Sequence, residues 1–144
     1  MVYLDSSSLL KLLWPEAESD AVRSRVATED SVVVSSLAEL EAEVQLKAAW
    51  VAGKYGEGRW RRFREKLAEF RGTEPFRFQR LGATVFETAL RQHRAKHAPH
   101  CRTLDRLHLA AMEELGVGRL VTNDTGQAEA ARAMGFEVVT PGVD

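Results

Sequence analysis

Short apolar runs alternate with longer helical segments along nearly the whole chain, and this alternation constrains the fold more than any other feature of the sequence. The runs are VYLD, SVVVSS, FRFQRL, RLVTND and FEVVTP, and SVVVSS is β-branched and continuous, as in a strand buried on both faces. Amphipathic helical patterns lie between them, and the one that starts near Thr103 is predicted to end at Gly116. Strands that alternate with helices predict βαβ units. We therefore expect one α/β domain over residues 1–144, with a parallel central sheet flanked by helices on both faces.

The composition narrows the class of protein. With 144 residues, of which 44% are hydrophobic and 28% charged, the chain resembles an ordinary globular domain. Cys101 is the only cysteine, so no internal disulfide can form and nothing argues for secretion. The opening MVYLDSS does not resemble a signal peptide, and no apolar run reaches the length of a membrane span. We expect a cytoplasmic protein with no membrane association.

The charge is unevenly distributed, although the net charge is only −1. Residues 54–106 contain 14 Lys and Arg against 6 Asp and Glu, whereas the rest of the chain contains 6 against 15. A basic segment of this kind could bind a polyanion, and it could equally be a solvated helix. Charge alone leaves both interpretations open.

Two acids stand at strand ends. Asp5 closes VYLD and Asp124 closes VTND. In a parallel sheet, ligands bind just beyond the carboxyl ends of the strands. The two carboxylates are therefore the first candidates for a functional site.

LAELEAEV places glutamates at alternate positions, Glu39, Glu41 and Glu43. With about 100° per residue, the apolar residues of this helix fall in an arc within about 60° of Leu37, and Glu41 lies about 40° from the centre of that arc. Glu39 and Glu43 fall on the opposite side and are interpreted as solvated. The arc, predicted to face the core, comprises Leu37, Leu40, Val44, Ala48, Val51 and Ala52. Glu41 is therefore either an inward carboxylate that needs a partner or an edge residue that reaches water.

A similar pattern surrounds Asp105, which lies on the same predicted face as Leu109 and Met112, whereas Arg106 is predicted to face away. A role in the first turn of the helix is an alternative explanation for Asp105. We interpret His108 as packed near Asp105 rather than catalytic. Clustered carboxylates would repel one another without a cation, and a hard divalent ion with oxygen ligands resolves that problem. Such a site can hydrolyse a phosphodiester.

The sequence resembles the PIN-domain family, specifically VapC-type toxins of prokaryotic toxin–antitoxin pairs, over nearly its full length. VYLDSSSLLKLLWPE resembles the opening strand, first acid and following helix of that family, and VVVSSLAELEAEV resembles the second strand and the helix that bears its glutamate. The family glutamate usually lies six residues after the serine that follows the strand, which selects Glu41 counting from Ser35. RTLDRLHLAAM and RLVTNDTGQAEAARAMGFEVVTP resemble the remaining motifs and contribute Asp105 and Asp124.

This resemblance implies a metal-dependent endoribonuclease with Mg²⁺, or else Mn²⁺, held by Asp5, Glu41, Asp105 and Asp124, which would serve as ligands or water activators. Ser7 and Thr122 match positions where the family commonly has a hydroxyl that supports the metal, although ordinary helix capping explains them equally well. The implied partners are an RNA substrate, a cognate antitoxin that blocks the acidic pocket, and a second copy of the chain in a homodimer. The candidate RNA-contacting residues are Arg59, Arg61, Arg62, Arg64 and Arg102.

Two alternatives stay open. The same fold could serve as a catalytically weak RNA-binding or scaffolding module. Separately, His93, His97, His100 and Cys101 lie close together in sequence, a spacing that could hold zinc but that also suits an exposed basic helix end.

Overall fold

The central sheet has five parallel strands in the order β3-β2-β1-β4-β5, in a computed structural model that describes residues 1–143. The strands are β1 (Val2–Leu4), β2 (Val32–Ser35), β3 (Phe76–Gln79), β4 (Arg119–Val121) and β5 (Glu137–Val139). Val2 of β1 pairs with Val32 of β2, and Leu4 of β1 pairs with Val121 of β4. The predicted parallel α/β sheet is confirmed.

Seven helices connect or follow the strands in the described part of the chain. They are α1 (Ser6–Leu13), α2 (Ser19–Ala27), α3 (Ser36–Val51), α4 (Glu57–Phe70), α5 (Thr84–Arg94), α6 (Thr103–Leu115) and α7 (Thr125–Ala133). Helix α6 ends as predicted at Gly116, whose φ of 68° lies in the left-handed region that favours glycine. No helix among residues 1–143 combines the length and the apolar character that a membrane span requires.

Helices cover both faces of the sheet, and β1 contributes side chains to each face in turn. Val2 and Leu4 pack with residues of α1, α2, α3 and α4, while Tyr3 packs with residues of α5, α6 and α7. This alternation follows from the two-residue period of a strand. The sheet therefore separates two apolar cores.

The strand order reverses beside β1. The chain proceeds from β1 to β2 and β3 on one side, and then places β4 and β5 on the other side of β1. Ligands in open parallel sheets bind outside the carboxyl ends of the strands at such a reversal. Asp5 directly follows β1, and Asp124 lies three residues beyond the end of β4.

The predicted orientation of α3 is wrong. The helix buries Ala38, Ala42, Leu46 and Ala49, whereas the arc around Leu37 that was predicted to face the core is largely exposed. Three alanines and Leu46 form the buried stripe, and the apolar residues Leu40, Val44 and Val51 remain outside. Helical periodicity identifies an apolar stripe, but it does not say whether that stripe meets the core or another surface.

The prediction that Arg106 faces away from the core is also wrong. The residue is only 5% exposed, and its guanidinium donates to Gln92 Oε1 at 3.3 Å and to the Pro99 carbonyl at 2.5 Å. These acceptors compensate a buried cation, which hydrophobic periodicity cannot anticipate.

Candidate active site

All four predicted acids line one cavity of about 440 Å³ at the carboxyl end of the sheet. Asp5 comes from the β1–α1 junction, Glu41 from α3, Asp105 from the first turn of α6, and Asp124 from the β4–α7 junction. Arg102 and His108 also line it, together with the neutral side chains of Ser6, Ser7, Leu10, Gln45, Thr103 and Leu104. We call this space the acidic cavity.

Asp5 is the most enclosed of the four acids, with only 3% of its surface exposed. Its Oδ1 accepts from the Ser7 hydroxyl at 2.7 Å and from the Ser8 amide at 3.2 Å, and its Oδ2 accepts from the Thr122 hydroxyl. Burial raises the pKa of the Asp5 carboxyl above its ordinary value, and these hydrogen bonds offset part of that rise. Nearby His108 also lowers the pKa of the Asp5 carboxyl, and among the described residues no Lys or Arg pairs with Asp5.

Asp105 and Asp124 share one cation at the mouth of the cavity. Arg102 Nε lies 3.2 Å from Asp105 Oδ2, and Arg102 Nη2 lies 3.6 Å from Asp124 Oδ2. The Arg102 side chain is nevertheless 79% exposed. Asp124 also caps α7, because its Oδ1 accepts from the Gln127 amide at 2.9 Å.

Glu41 is held from the opposite side of the cavity by a histidine. Its Oε1 forms a hydrogen bond with His108 Nε2, and the Glu41 side chain is 22% exposed while that of His108 is 4% exposed. Tyr3 Oη lies 2.6 Å from His108 Nδ1. His108 therefore contacts Glu41 and Tyr3, and it does not simply pack beside Asp105 as the sequence suggested.

Ser7 and Thr122 support Asp5 from two different elements. Besides their bonds to Asp5, Ser7 Oγ accepts from the Asn123 amide at 3.0 Å and Thr122 Oγ1 accepts from the Asp124 amide at 3.0 Å. The two hydroxyls thus tie the β1–α1 junction to the β4–α7 junction. The Ser7 and Thr122 hydroxyls donate to the Asp5 carboxylate and accept from backbone amides, and neither of them caps a helix.

The donor set suits a hard divalent cation, because four carboxylates face one cavity and the most buried of them has no Lys or Arg partner. As placed, no three His, Cys, Asp or Glu side chains within residues 1–143 stand close enough together to hold an ion. In this arrangement Arg102 bridges Asp105 and Asp124, and Glu41 bonds to His108.

The arginines of α4 do not reach the acidic cavity, whereas Arg102 lines it. Arg64 pairs with Glu43 at 3.0 Å, and Arg61 lies 3.6 Å from Glu57. Arg59 lies over the ring of Tyr55. Arg62 is exposed.

The alternative zinc cluster is not assembled in the described part of the chain. His93, His97 and His100 are exposed and Cys101 is half-buried. Burial raises the pKa of the Cys101 thiol, which disfavours the thiolate that zinc requires.

Sequence reasoning did not anticipate Tyr3 and Ser35 as parts of the site. Tyr3 looks like one of several apolar residues of β1, and Ser35 looks like an ordinary helix cap, a role that it also fills by accepting from the Ala38 amide at 3.1 Å. Only the three-dimensional meeting of β1, β2 and α6 brings Ser35 to Tyr3 and Tyr3 to His108. No local pattern carries that signal.

The chain matches the family model described as PIN domain over residues 2–133. Among curated proteins it is 34% identical over 142 residues to Ribonuclease VapC46 of Mycobacterium tuberculosis (strain ATCC 25618 / H37Rv), covering 97% of each protein. It is 31% identical over 149 residues to Ribonuclease VapC35 of Mycobacterium tuberculosis (strain CDC 1551 / Oshkosh), covering 99% of this chain and 98% of that protein.

Solved structures share the fold at lower identity. Mycobacterium tuberculosis VapC20, described as a sarcin–ricin loop cleaving toxin, superposes with a TM-score of 0.71 at 18% identity, over 97% of this chain and 98% of that one. FitAcB from Neisseria gonorrhoeae gives a TM-score of 0.72 at 16% identity over all of both chains. VapBC2 from Rickettsia felis, described as bound to a DNA fragment from its promoter, gives a TM-score of 0.67 at 15% identity over 96% of this chain and 98% of that one.

Proposed function

The chain belongs to the PIN domain family, and from this membership we propose that it is a metal-dependent endoribonuclease, the toxin of a type II toxin–antitoxin pair. The observation that carries the proposal is the meeting of Asp5, Glu41, Asp105 and Asp124 in one cavity from four separate places in the chain. A module that only bound RNA would have no use for a carboxylate as buried as Asp5, because its enclosure costs stability.

The four carboxylates would hold a Mg²⁺ or Mn²⁺ ion, since hard cations of this kind prefer oxygen ligands. A divalent ion held there supplies positive charge at the scissile phosphodiester and acidifies water. Asp5 needs no reorientation to contribute, because Ser7, Ser8 and Thr122 already fix both of its oxygens. This preorganisation lowers the cost of assembling the site.

Glu41 is suited to accept the proton of the attacking water. One of its oxygens is bound to His108, while the other makes no hydrogen bond within residues 1–143. As the water oxygen bonds to phosphorus, the bond from phosphorus to the leaving oxygen would break. The water proton would pass to that second oxygen of Glu41, and the leaving oxygen would take a proton from solvent. The residue is thus held at one oxygen and available at the other.

Arg102 would act on the substrate. In the absence of an ion, its guanidinium bridges Asp105 and Asp124 at the mouth of the cavity. With Asp105 and Asp124 engaged as ligands, the Arg102 guanidinium would be free to bind a phosphate oxygen of RNA. The high exposure of Arg102 leaves room for this movement.

An antitoxin is the proposed regulatory partner. FitAB and VapBC2, whose structures share this fold, are each described bound to a DNA fragment. An antitoxin that places a basic side chain in the acidic cavity would occupy the position that Arg102 now holds, and it would thereby exclude both the ion and RNA.

A second copy of the chain is the proposed occupant of an exposed apolar face. This face comprises Leu40, Val44 and Val51 of α3 together with Phe86 and Leu90 of α5, which are 61%, 56%, 74%, 61% and 48% exposed. The spacing of the α3 residues forms a stripe that can pack against an identical helix. In such a dimer, the exposed apolar side chains of α3 would pack against the second copy rather than against the core.

Cleavage of total RNA by purified protein tests the proposal, in EDTA, in Mg²⁺ and in Mn²⁺. We expect cleavage only with a divalent ion, and Asp5→Asn should abolish it. Asp20→Asn is the matched control, because Asp20 is an exposed carboxylate on α2 that is remote from the cavity. RNA that binds but stays intact under every condition would favour the binding module instead.

A further inference from the structure

We propose that His108, Tyr3 and Ser35 form a directional hydrogen-bond chain that orients Glu41, which makes His108 a positioning residue of the acidic cavity. The role of Glu41 in RNA hydrolysis rests on the proposed function, whereas the hydrogen-bond chain itself does not. The two parts can therefore be tested separately.

The chain of contacts is continuous and almost fully buried. Ser35 Oγ lies 2.7 Å from Tyr3 Oη, Tyr3 Oη lies 2.6 Å from His108 Nδ1, and His108 Nε2 bonds to Glu41 Oε1. Tyr3 and Ser35 are 0% exposed and His108 is 3% exposed, so water does not compete for these groups. Hydrogen bonds in such surroundings are strong and costly to leave unmade.

An ionised Glu41 fixes one end of the chain as an acceptor, and the other end is decided by where the Ser35 hydroxyl hydrogen can go. The Ala38 amide can only donate to Ser35 Oγ, at 3.1 Å, and an ionised Glu41 can only accept. If Ser35 donates to Tyr3, then Tyr3 donates to Nδ1 of His108, and Nε2–H of a neutral imidazole donates to Glu41. Every hydrogen in this arrangement has an acceptor.

The reverse direction leaves a defect. If Tyr3 donated to Ser35, the Ser35 hydroxyl hydrogen would have no acceptor within residues 1–143, although the residue is fully buried. His108 would also have to carry two protons to serve both Tyr3 and an ionised Glu41. An unsatisfied buried donor is costly, so the first arrangement is favoured.

The geometry explains why Glu41 would need this support. Ser35 caps the start of α3, and Glu41 lies in the second turn of the same helix. The hydrogen-bond chain therefore connects the start of α3 with its second turn through Tyr3 of β1 and His108 of α6. A glutamate side chain has several rotatable bonds, and fixing one oxygen reduces the entropy lost when the site assembles. The strand that ends beside Asp5 thus also controls the carboxylate across the cavity.

The ring nitrogens of His108 provide the direct test. In metal-free protein labelled with ¹⁵N-histidine, long-range ¹H–¹⁵N correlation spectra should show one neutral imidazole protonated at Nε2, which disappears in His108→Gln. His93, His97 and His100 are exposed and serve as internal references. A His108 protonated only at Nδ1, or at both nitrogens near neutral pH, would overturn the assignment.

Variant proteins test whether the chain orients Glu41. We expect His108→Leu to weaken Mn²⁺ binding by about 10-fold to 100-fold, the usual effect of removing a residue that supports a metal ligand. His108→Gln retains a donor toward Glu41 and should recover most of that loss. Tyr3→Phe keeps the buried ring, removes the donor to Nδ1, and should both weaken Mn²⁺ binding and abolish the single His108 tautomer.

These outcomes separate the inference from the proposed function. If the His108→Leu protein does not fold, Tyr3→Phe still decides the matter through the His108 tautomer and the Mn²⁺ affinity. Unchanged Mn²⁺ affinity in Tyr3→Phe, with the tautomer also unchanged, would show that His108 only fills space. Wild-type protein that shows the predicted tautomer and Mn²⁺ dependence but cleaves no RNA would leave the positioning role standing and overturn the nuclease proposal.

Discussion

Asp5 illustrates at the scale of one residue how a functional carboxylate reduces stability. Its side chain is enclosed, its hydrogen-bond donors are neutral, and burial raises its pKa. A carboxyl whose pKa is higher in the folded than in the unfolded state contributes stability at low pH, and that contribution is lost as pH rises through the folded pKa.

We therefore predict that Asp5→Asn stabilises the metal-free protein while it abolishes RNA cleavage. Chemical denaturation in EDTA should show a larger free energy of unfolding for the variant, with a greater gain at mildly alkaline than at mildly acidic pH. Asp20→Asn, at an exposed site, should show no such dependence. A variant less stable than wild type at both pH values would contradict this account of Asp5.

The three glutamates of α3 give a second prediction at this scale. Glu41 faces the acidic cavity, whereas Glu39 pairs with Arg71 and Glu43 pairs with Arg64 on the surface. We expect Glu41→Gln to lower the rate of RNA cleavage by at least about a hundredfold, the upper range for loss of support to a metal site. Surface pairs contribute only about 0–1 kcal/mol, so Glu39→Gln and Glu43→Gln should leave the rate nearly unchanged. Equal losses from all three would refute the assignment of Glu41.

Arg102 gives a third prediction. Replacement by glutamine removes one phosphate contact, so binding of RNA to a cleavage-inactive Asp5→Asn background should weaken, and the slope of log affinity against log salt should fall by about 1. Filter binding at several salt concentrations measures both quantities. A salt slope equal to that of the background protein would show that Arg102 pairs only with Asp105 and Asp124 and does not contact RNA.

At the scale of the element, α3 shows what a sequence pattern leaves undecided. The family motif and the helical wheel both selected Glu41, which the structure places at the cavity, although the wheel assigned the wrong face to the core. The buried stripe consists of alanines and Leu46, and alanine carries little hydrophobic signal. The exposed stripe carries a stronger hydrophobic signal. A helix that packs against the core on one side and against a second surface on the other has two apolar faces, and periodicity alone does not say which of them is buried in the core.

The exposed stripe of α3 leads to a prediction about assembly. Val44→Glu places a charge at the centre of the apolar face and should convert a dimer into monomers, because two such charges would oppose each other across a symmetric interface. Light scattering coupled to size-exclusion chromatography measures the mass. Arg132→Glu is the control, since Arg132 is exposed on α7 and lies outside the apolar face. A wild-type monomer would contradict the proposed dimer.

The arginines of the basic helix α4 give another prediction at the scale of the element. Its arginines lie outside the acidic cavity, and Arg64 is already paired with Glu43. If α4 guides RNA toward the cavity, charge reversal of Arg61, Arg62 and Arg64 should weaken RNA binding and reduce its salt dependence. An unchanged salt slope would mean that α4 faces something other than RNA.

At the scale of the whole molecule, the order of strands and helices and the parallel sheet could be predicted, because each element carries its own period and its own stop signals. Gly116 is an example, since it ends α6 through local backbone chemistry alone. The bond between His108 and Glu41, the buried cation of Arg106 and the bridge made by Arg102 could not be predicted, since each depends on how separate elements meet. Long-range polar contacts leave no periodic trace in the sequence.

The central claim is that the four acids of the acidic cavity form a single divalent-cation site. Calorimetric titration of Mn²⁺ into metal-free protein tests this claim without any RNA. Wild-type protein should bind Mn²⁺, and Asp5→Asn, Asp105→Asn and Asp124→Asn should each weaken binding by at least about tenfold. Asp20→Asn should bind as wild type does. Equal affinity in all five proteins would place the ion elsewhere and contradict the account.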